Sequence, residues 1–360
     1  MQIKPTSSEL DAGGLIGRSY NRLEIKNPAW KGNISYDISA ENSKLTATFG
    51  GIVGRANYLA TEGANVSGSI SVKPNASFKN EGLSVYGGIA GRAETGAFLT
   101  GCTSACDIKW DGDCYRVDGN VCCLGGIIAR IDQGVAKISG CVNSGALWNR
   151  YINANKWSKG ANVSCSVTGG IVGCYGAKTG LDSLSSNIEI IDCSNSGVVQ
   201  TSRGLCGGIA GALMNANVKS CTFTGQIPYM RSYHNPLTGG VVGAVENSII
   251  EDCTVKADLY GNSVQAVAAY IGGVTAFLCS ESQIMNCSYF GHITTSESSN
   301  AGFEISISGI AAVADEHCSV SGCGVGGTVC GTTVTTDNYT DYIVGDGAAQ
   351  ITDCNYWDGK

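Results

Sequence analysis

Eighteen cysteines in 360 residues are the first candidates for chemistry. Thiols can bridge, bind zinc or act as nucleophiles, and spacing decides among these roles. Eight of them, Cys102, Cys141, Cys193, Cys221, Cys253, Cys287, Cys323 and Cys354, close a recurring signature of the type Ile138-Ser139-Gly140-Cys141 or Ile351-Thr352-Asp353-Cys354. Side chains at one position of a repeat point the same way, a poor geometry for bridging, and a free cysteine packs as a small hydrophobe. The column therefore reads as a buried thiol ladder. The cysteines off it, Cys106, Cys114, Cys122, Cys123, Cys165, Cys174, Cys206, Cys279, Cys318 and Cys330, are the disulfide candidates. Zinc needs four convergent ligands, which neither Cys102 with Cys106 nor Cys122 with Cys123 supplies, so no metal or cofactor is expected.

The remaining titratable groups carry weaker signals. His234, His292 and His317 fall in three different repeats, with no nucleophile motif around any of them. Asp107, Asp111, Asp113 and Asp118 form the only local acidic group. They could supply the paired carboxylates of a polysaccharide-cleaving enzyme or oxygen ligands for calcium, but a solvated turn explains them with fewer assumptions, and no catalytic residue is assigned. Aromatic residues in longer inserts are better candidates for a binding surface: Trp148, Tyr151 and Trp157 after Cys141, and Trp110 and Tyr115 in the segment before them. Loops carried on a rigid scaffold are where binding usually sits, and aromatic rings beside Asn and Asp suit sugar stacking or protein contact. The bland alternative is that Trp148 and Trp157 only pin a long loop to its scaffold.

The elements that must position these residues are set by a second repeat. Gly169-Gly170-Ile171-Val172-Gly173 has versions starting at Gly13, Gly50, Gly87, Gly125, Gly207, Gly239 and Gly272, with degraded copies at Ser308 and Asp341. In most copies the cysteine signature follows 13–16 residues after the first residue of the motif. The unit of about 37 residues holds roughly three short β-type runs separated by Gly, Asn, Ser and Asp turns, and nothing in it has the 3.6-residue period of a helix. With 51 glycines and 15% charged residues, the composition also disfavours helices.

Two architectures answer such a pattern. A propeller would want hairpin turns within blades of about 40–45 residues. A parallel β-solenoid (a right-handed β-helix) stacks identical residues about 4.8 Å apart, and columns of Ile, Cys and Gly favour it. Ten coils would make a rod of roughly 48 Å. The expected organisation is a single domain spanning 1–360, with a lead-in at 1–12, coils over 13–345 and a closing unit at 346–360. One feature does not fit a simple tube: motif positions three and four are both apolar, although neighbouring strand residues face opposite ways. Either a bend at the glycines resets the alternation, or a second apolar layer covers the strand.

The unit from Gly207-Gly208-Ile209-Ala210-Gly211 to Cys221-Thr222-Phe223-Thr224-Gly225 resembles the GLUG repeat of bacterial surface proteins, and so does Ile138 to Gly145. The ending Cys354-Asn355-Tyr356-Trp357-Asp358 is similar to the terminal unit of such arrays. The resemblance implies a secreted or surface-anchored protein, often adhesin-like, and names neither a ligand nor catalytic residues.

The expected function is therefore non-enzymatic: adhesion to, or binding of, an extracellular glycan or a host or bacterial surface protein through loops inserted at coil five. A structural stalk is the alternative, and a polysaccharide-active β-helix enzyme the third reading. The formal charge of −7 argues against a nucleic-acid partner. No apolar run reaches the roughly 18 residues of a membrane span, and Met1 to Pro5 lacks the apolar stretch of a signal peptide. Because the first motif starts at Gly13, an upstream leader or domain is expected, with membrane association only through an anchor outside this sequence. A monomer at the cell surface or outside the cell is the resulting expectation.

Overall fold

In a computed structural model, the chain winds as a parallel β-solenoid. The structure describes residues 9–38, 45–74, 79–80, 83–111, 115–116, 122–149, 166–175, 187–202, 204–228, 236–261, 268–295 and 304–360. Among the described residues, strands build three walls, of nine, eighteen and fourteen strands. Pairing between coils is parallel; the antiparallel contact among the described residues is the short hairpin joining Val329 to Thr332. No helix among the described residues is long and apolar enough to cross a membrane.

Each motif is a corner. Its first residue ends a first-wall strand, as Gly50 ends Thr46–Gly50, and its fourth begins a second-wall strand, as Val53 begins Val53–Glu62. The corner stacks on itself, since Gly50 registers with Gly87 and Gly125 with Gly169. A Cβ on Gly126 would run into the carbonyl oxygen of Gly170, in the corner of the next coil, so only glycine lets the coils approach this closely. The corner also explains the paired apolar positions. The amides of both Ile127 and Ile128 donate to the Ile171 carbonyl, each at 3.0 Å, and those of Ile52 and Val53 likewise share Ile89. Two successive N–H groups aimed at one acceptor turn the chain without advancing the alternation. Ile52 with Val53, Ile127 with Ile128 and Ile171 with Val172 accordingly all lie in one main core.

A second apolar layer exists as well, on the far side of the same strands. Val85, Cys123, Val167, Leu205 and Leu237 from the first wall meet Ala129, Cys174, Ala212, Ala244 and Phe277 from the second. Both faces of these strands are therefore buried, which accounts for near-continuous small and apolar runs such as Ala210–Met214.

The second turn of each coil sets the cysteine column. The residue before each column position takes a left-handed backbone: Gly101, Gly140, Asp192, Ser220, Asp252, Asn286, Gly322 and Asp353 have φ between 53° and 62°. Gly, Asn and Asp tolerate that region best, which accounts for most of the signature. The same register corrects the reading of repeat two. By sequence the signature of repeat two reads Val66-Ser67-Gly68-Ser69, but Thr103 pairs with Asn65, so the residue equivalent to Cys102 is Ala64, after the left-handed Gly63, rather than Ser69.

The coil count is also corrected. The first wall has nine strands, not ten, among the described residues. The last turn supplies only Val344–Gly347, Gln350–Thr352 and Asn355–Tyr356 to the other two walls. Where its first-wall strand would stand, Tyr339–Tyr342 forms a 3-10 turn whose Tyr342 carbonyl accepts the Gly309 amide at 2.7 Å.

Candidate functional site

The strand Leu147–Asn149 turns Leu147 and Asn149 into the core and Trp148 outward, half-buried. Trp148 sits in register between Lys109 and Gln200 of the neighbouring coils. The Lys109 ammonium lies 6.0 Å from the Trp148 ring centre and 2.8 Å from the Asp111 carboxylate. An aromatic face, a cation and a carboxylate thus share the third wall where the first coil-five insertion leaves it. Tyr151 and Trp157 lie outside the described residues, as do the side chain of Tyr115, residues 150–165 and residues 176–186.

Trp110 is a correction. Its side chain has 0% exposure and stacks on Tyr86 at 5.8 Å between ring centres, with Tyr86 stacked in turn on Phe49 at 5.2 Å. The reason is strand alternation: Thr103–Trp110 continues through the segment read as a loop, and Ser104, Cys106, Ile108 and Trp110 all face inward. Trp110 is a core residue and takes no part in a binding surface. The acidic group is divided in the same way. Asp107 Oδ1 accepts the Ala146 amide at 2.9 Å and Asp111 pairs with Lys109, while Asp113 and Asp118 lie outside the described residues.

Among the described residues, the thiol column is buried from Cys102 to Cys323 and its members are free. The Cys141 thiol donates to the Ser139 carbonyl at 3.5 Å and to the Leu99 carbonyl of the coil before at 3.6 Å, and Cys193 and Cys221 repeat the pattern. At the last coil Cys354 is only half-buried, and the hydrogen bond from Cys323 brings its thiol down to about 7. Of the disulfide candidates, Cys106, Cys123, Cys174, Cys206, Cys318 and Cys330 are free thiols, Cys122 and Cys279 are buried, and Cys114 and Cys165 lie outside the described residues.

Sequence reasoning missed a charged column one residue past the motif. Arg18, Arg55, Arg92 and Arg130 stack in register up the second wall. Their carboxylate partners come from the first wall, as Glu9, and from turns within the second wall itself, as Glu94 and Asp132. Arg18 reaches Glu9 at 2.6 Å, Arg55 reaches Glu9 at 3.1 Å and Glu94 at 2.9 Å, and Arg92 and Arg130 meet Asp132 at 2.6 and 2.7 Å. Arg55 and Arg130 are each 7% exposed and Asp132 6%. Burial alone would raise the Asp132 carboxyl, but the guanidiniums of Arg130 and Arg92 outweigh it and hold the carboxyl below its ordinary value. Asp11 goes the other way, because burial raises it by more than Arg55 and Arg18 lower it. The signal was present in the sequence as an Arg following four successive motifs.

The next rung after Arg130 is Cys174, whose Sγ stands 3.1 Å from that of Cys123. The Cys123 hydrogen bond, with help from Arg130, favours the Cys174 thiolate, and burial pushes Cys123 up. From coil six the column turns apolar as Ala212, Ala244, Phe277 and Val313.

One shallow groove of about 230 Å³ opens on the outer face of the second wall across coils one to three, between Glu24, Lys26, Glu62, Phe98 and Thr100 over Ala60. Beside it Tyr58 stacks on Phe98 at 5.8 Å, and Arg22 lies 4.5 Å over Tyr58.

With this geometry in place, the comparison with known families is specific: residues 234–260 match the GLUG motif. These residues contain the corner Gly239-Gly240-Val241-Val242-Gly243 and the column cysteine Cys253. No curated protein matches the chain.

Proposed function

We propose that this GLUG-repeat solenoid is a non-enzymatic binding protein of the cell surface or extracellular space, and that it engages a glycan or surface protein through the coil-five insertions. The observation that supports this most is the outward Trp148 ring at the root of the first insertion, with the Lys109 ammonium near its face and the Asp111 carboxylate beside that ammonium. An aromatic plane flanked by donors and acceptors suits the apolar face and hydroxyl rim of a sugar, and equally a polar protein epitope. Tyr151, Trp157 and Tyr115 extend the same reading into the insertions and the segment before them.

The test is binding of the full chain to arrays of glycans and extracellular-matrix proteins, compared with Trp148→Ala. A ligand bound by the wild type and lost or weakened at least tenfold in the variant supports the site. Unchanged binding removes it.

A structural stalk is the second reading, favoured by one observation: around the corners of coils three to seven the first- and second-wall strands are buried on both faces, so much of the chain is spent on stacking. A polysaccharide-active enzyme is a weaker reading, since Asp107 and Asp111 are already engaged by a backbone amide and a lysine.

A further inference from the structure

Cys123 and Cys174 differ from every thiol of the column in how they face. The column thiols come from one turn of successive coils, and those from Cys102 to Cys323 lie in the main core, pointing alike. Cys123 belongs to the first wall of coil four, in Cys122–Gly125, and Cys174 to the second wall of coil five, in Val172–Tyr175. The two walls meet face to face in the second apolar layer, so these two side chains approach from opposite sides. Their sulfurs are 3.1 Å apart, against a disulfide bond of about 2.05 Å. Each is 0% exposed. Cys122, the neighbour of Cys123, turns the other way into the main core, and Cys279, the other cysteine of the second layer, sits on coil eight. Among the described residues the two sulfurs face each other and no other thiol of the second layer lies on these two coils, so the pair is placed for bonding to each other.

We propose that Cys123 and Cys174 form a disulfide by exchange with a small-molecule disulfide, stapling coil four to coil five at the base of the insertions. Cys174, in register with Arg130, attacks first, because a neighbouring guanidinium favours the thiolate. Its proton goes to solvent, its Sγ bonds one sulfur of the small disulfide, the old S–S bond breaks, and one small thiolate leaves and takes up a proton. Cys123 then loses its proton and attacks Cys174 Sγ, expelling the second small thiol. Two electrons pass from the two protein thiols to the small disulfide, which is released as two thiols. Burial of both sulfurs means that exchange occurs while these coils are folding or locally open. The proposal does not depend on the binding reading.

The full wild-type chain is equilibrated with oxidised and reduced glutathione over a range of ratios, quenched in acid, alkylated in denaturant and mapped by peptide mass. The expected result is one internal link, Cys123 to Cys174, with the column thiols alkylated. The unfolding midpoint of the oxidised chain should rise by roughly 5 °C, and the same treatment should give no rise in Cys123→Ala or Cys174→Ala. Alkylation of both residues at every ratio would overturn the proposal. A persistent glutathione adduct on Cys174, or links scattered among other cysteines, would also overturn it. Because the link is read on the wild-type chain, a variant that fails to fold leaves the result intact.

Discussion

Arg92 and Arg130, one coil apart on the second wall, share the single carboxylate of Asp132 at 2.6 and 2.7 Å. All three side chains are largely withdrawn from solvent, so this ion cluster is held by mutual pairing rather than by hydration. Removing one partner of a buried pair leaves charge without compensation. Asp132→Ala should therefore cost about 3 kcal/mol, measured by denaturant unfolding. Lys137→Ala, which breaks the outer Lys137–Glu189 pair at 2.9 Å, should cost less than about 1 kcal/mol. Equal losses would show that the ladder is no more than surface decoration.

The same carboxylate predicts an acid dependence. Asp132 titrates near 3.8 in the unfolded chain and lower in the folded one. The unfolded state therefore takes up its proton first as pH falls, and the stabilisation is present above about 3.8 and lost as pH drops through the folded value. Asp11 has the opposite sign. Its raised folded value costs stability above that value, and the cost disappears in acid. Asp132→Asn should flatten the fall in stability between about pH 4 and 2, whereas Asp11→Asn should raise stability at pH 7 and leave a steeper acid loss. Melting temperatures from pH 7 down to 2 would show both slopes, that of Asp11 above about 3.8 and that of Asp132 below it, and a flatter profile in Asp11→Asn would refute the assignment.

Trp110 and Trp148 should separate cleanly. Trp110→Ala removes a stacked core ring and should cost about 3–5 kcal/mol. Trp148→Ala removes an outward ring and should shift stability by less than about 1 kcal/mol while changing ligand binding. Parallel unfolding and binding curves check both, and similar losses of stability would contradict the assignment of the two faces.

The corner glycines give a further contrast. Gly126→Ala places a methyl against the Gly170 carbonyl of the adjacent coil and the buried Asn143 side chain, and because the backbone oxygen cannot yield it should cost about 3 kcal/mol or abolish folding. Gly101 has open space around its Cβ position but a φ of 59°. Gly101→Asn, a residue that tolerates this region, should cost under about 1 kcal/mol. Thermal unfolding of the two variants decides, and equal behaviour would mean that steric contact between coils does not set the corner.

Labelling should find the open end of the thiol ladder. Cys354 is brought down to about 7 by the Cys323 hydrogen bond, while Cys330 is exposed but raised by burial of its sulfur. At pH 7 a maleimide should modify Cys354 before Cys330 and leave Cys141 and Cys193 untouched. Faster modification of Cys330 would contradict the thiolate assignment.

The architecture was legible because stacking repeats a residue type at every coil. Ile127 and Ile171, or Cys141 and Cys193, occupy the same place in the same environment, so one observation is made many times over. Ala64 was misplaced because its coil shares the left-handed turn but lacks the thiol that marked it elsewhere. Trp110 was misjudged because nearby aspartates resemble a loop, while the hydrogen bonds that extend the strand to that point come from neighbouring coils. The arginine ladder escaped notice since a cationic column reads as solvated surface. Its burial depends on two walls closing face to face, which no local spacing expresses.

Hydrogen exchange of the full chain with and without the strongest array ligand tests the binding assignment most directly. The account predicts added protection across Lys109, Trp148 and Gln200 on the third wall and through residues 150–165. Protection confined instead to Glu24, Glu62 and Phe98, in the groove of coils one to three, would contradict it.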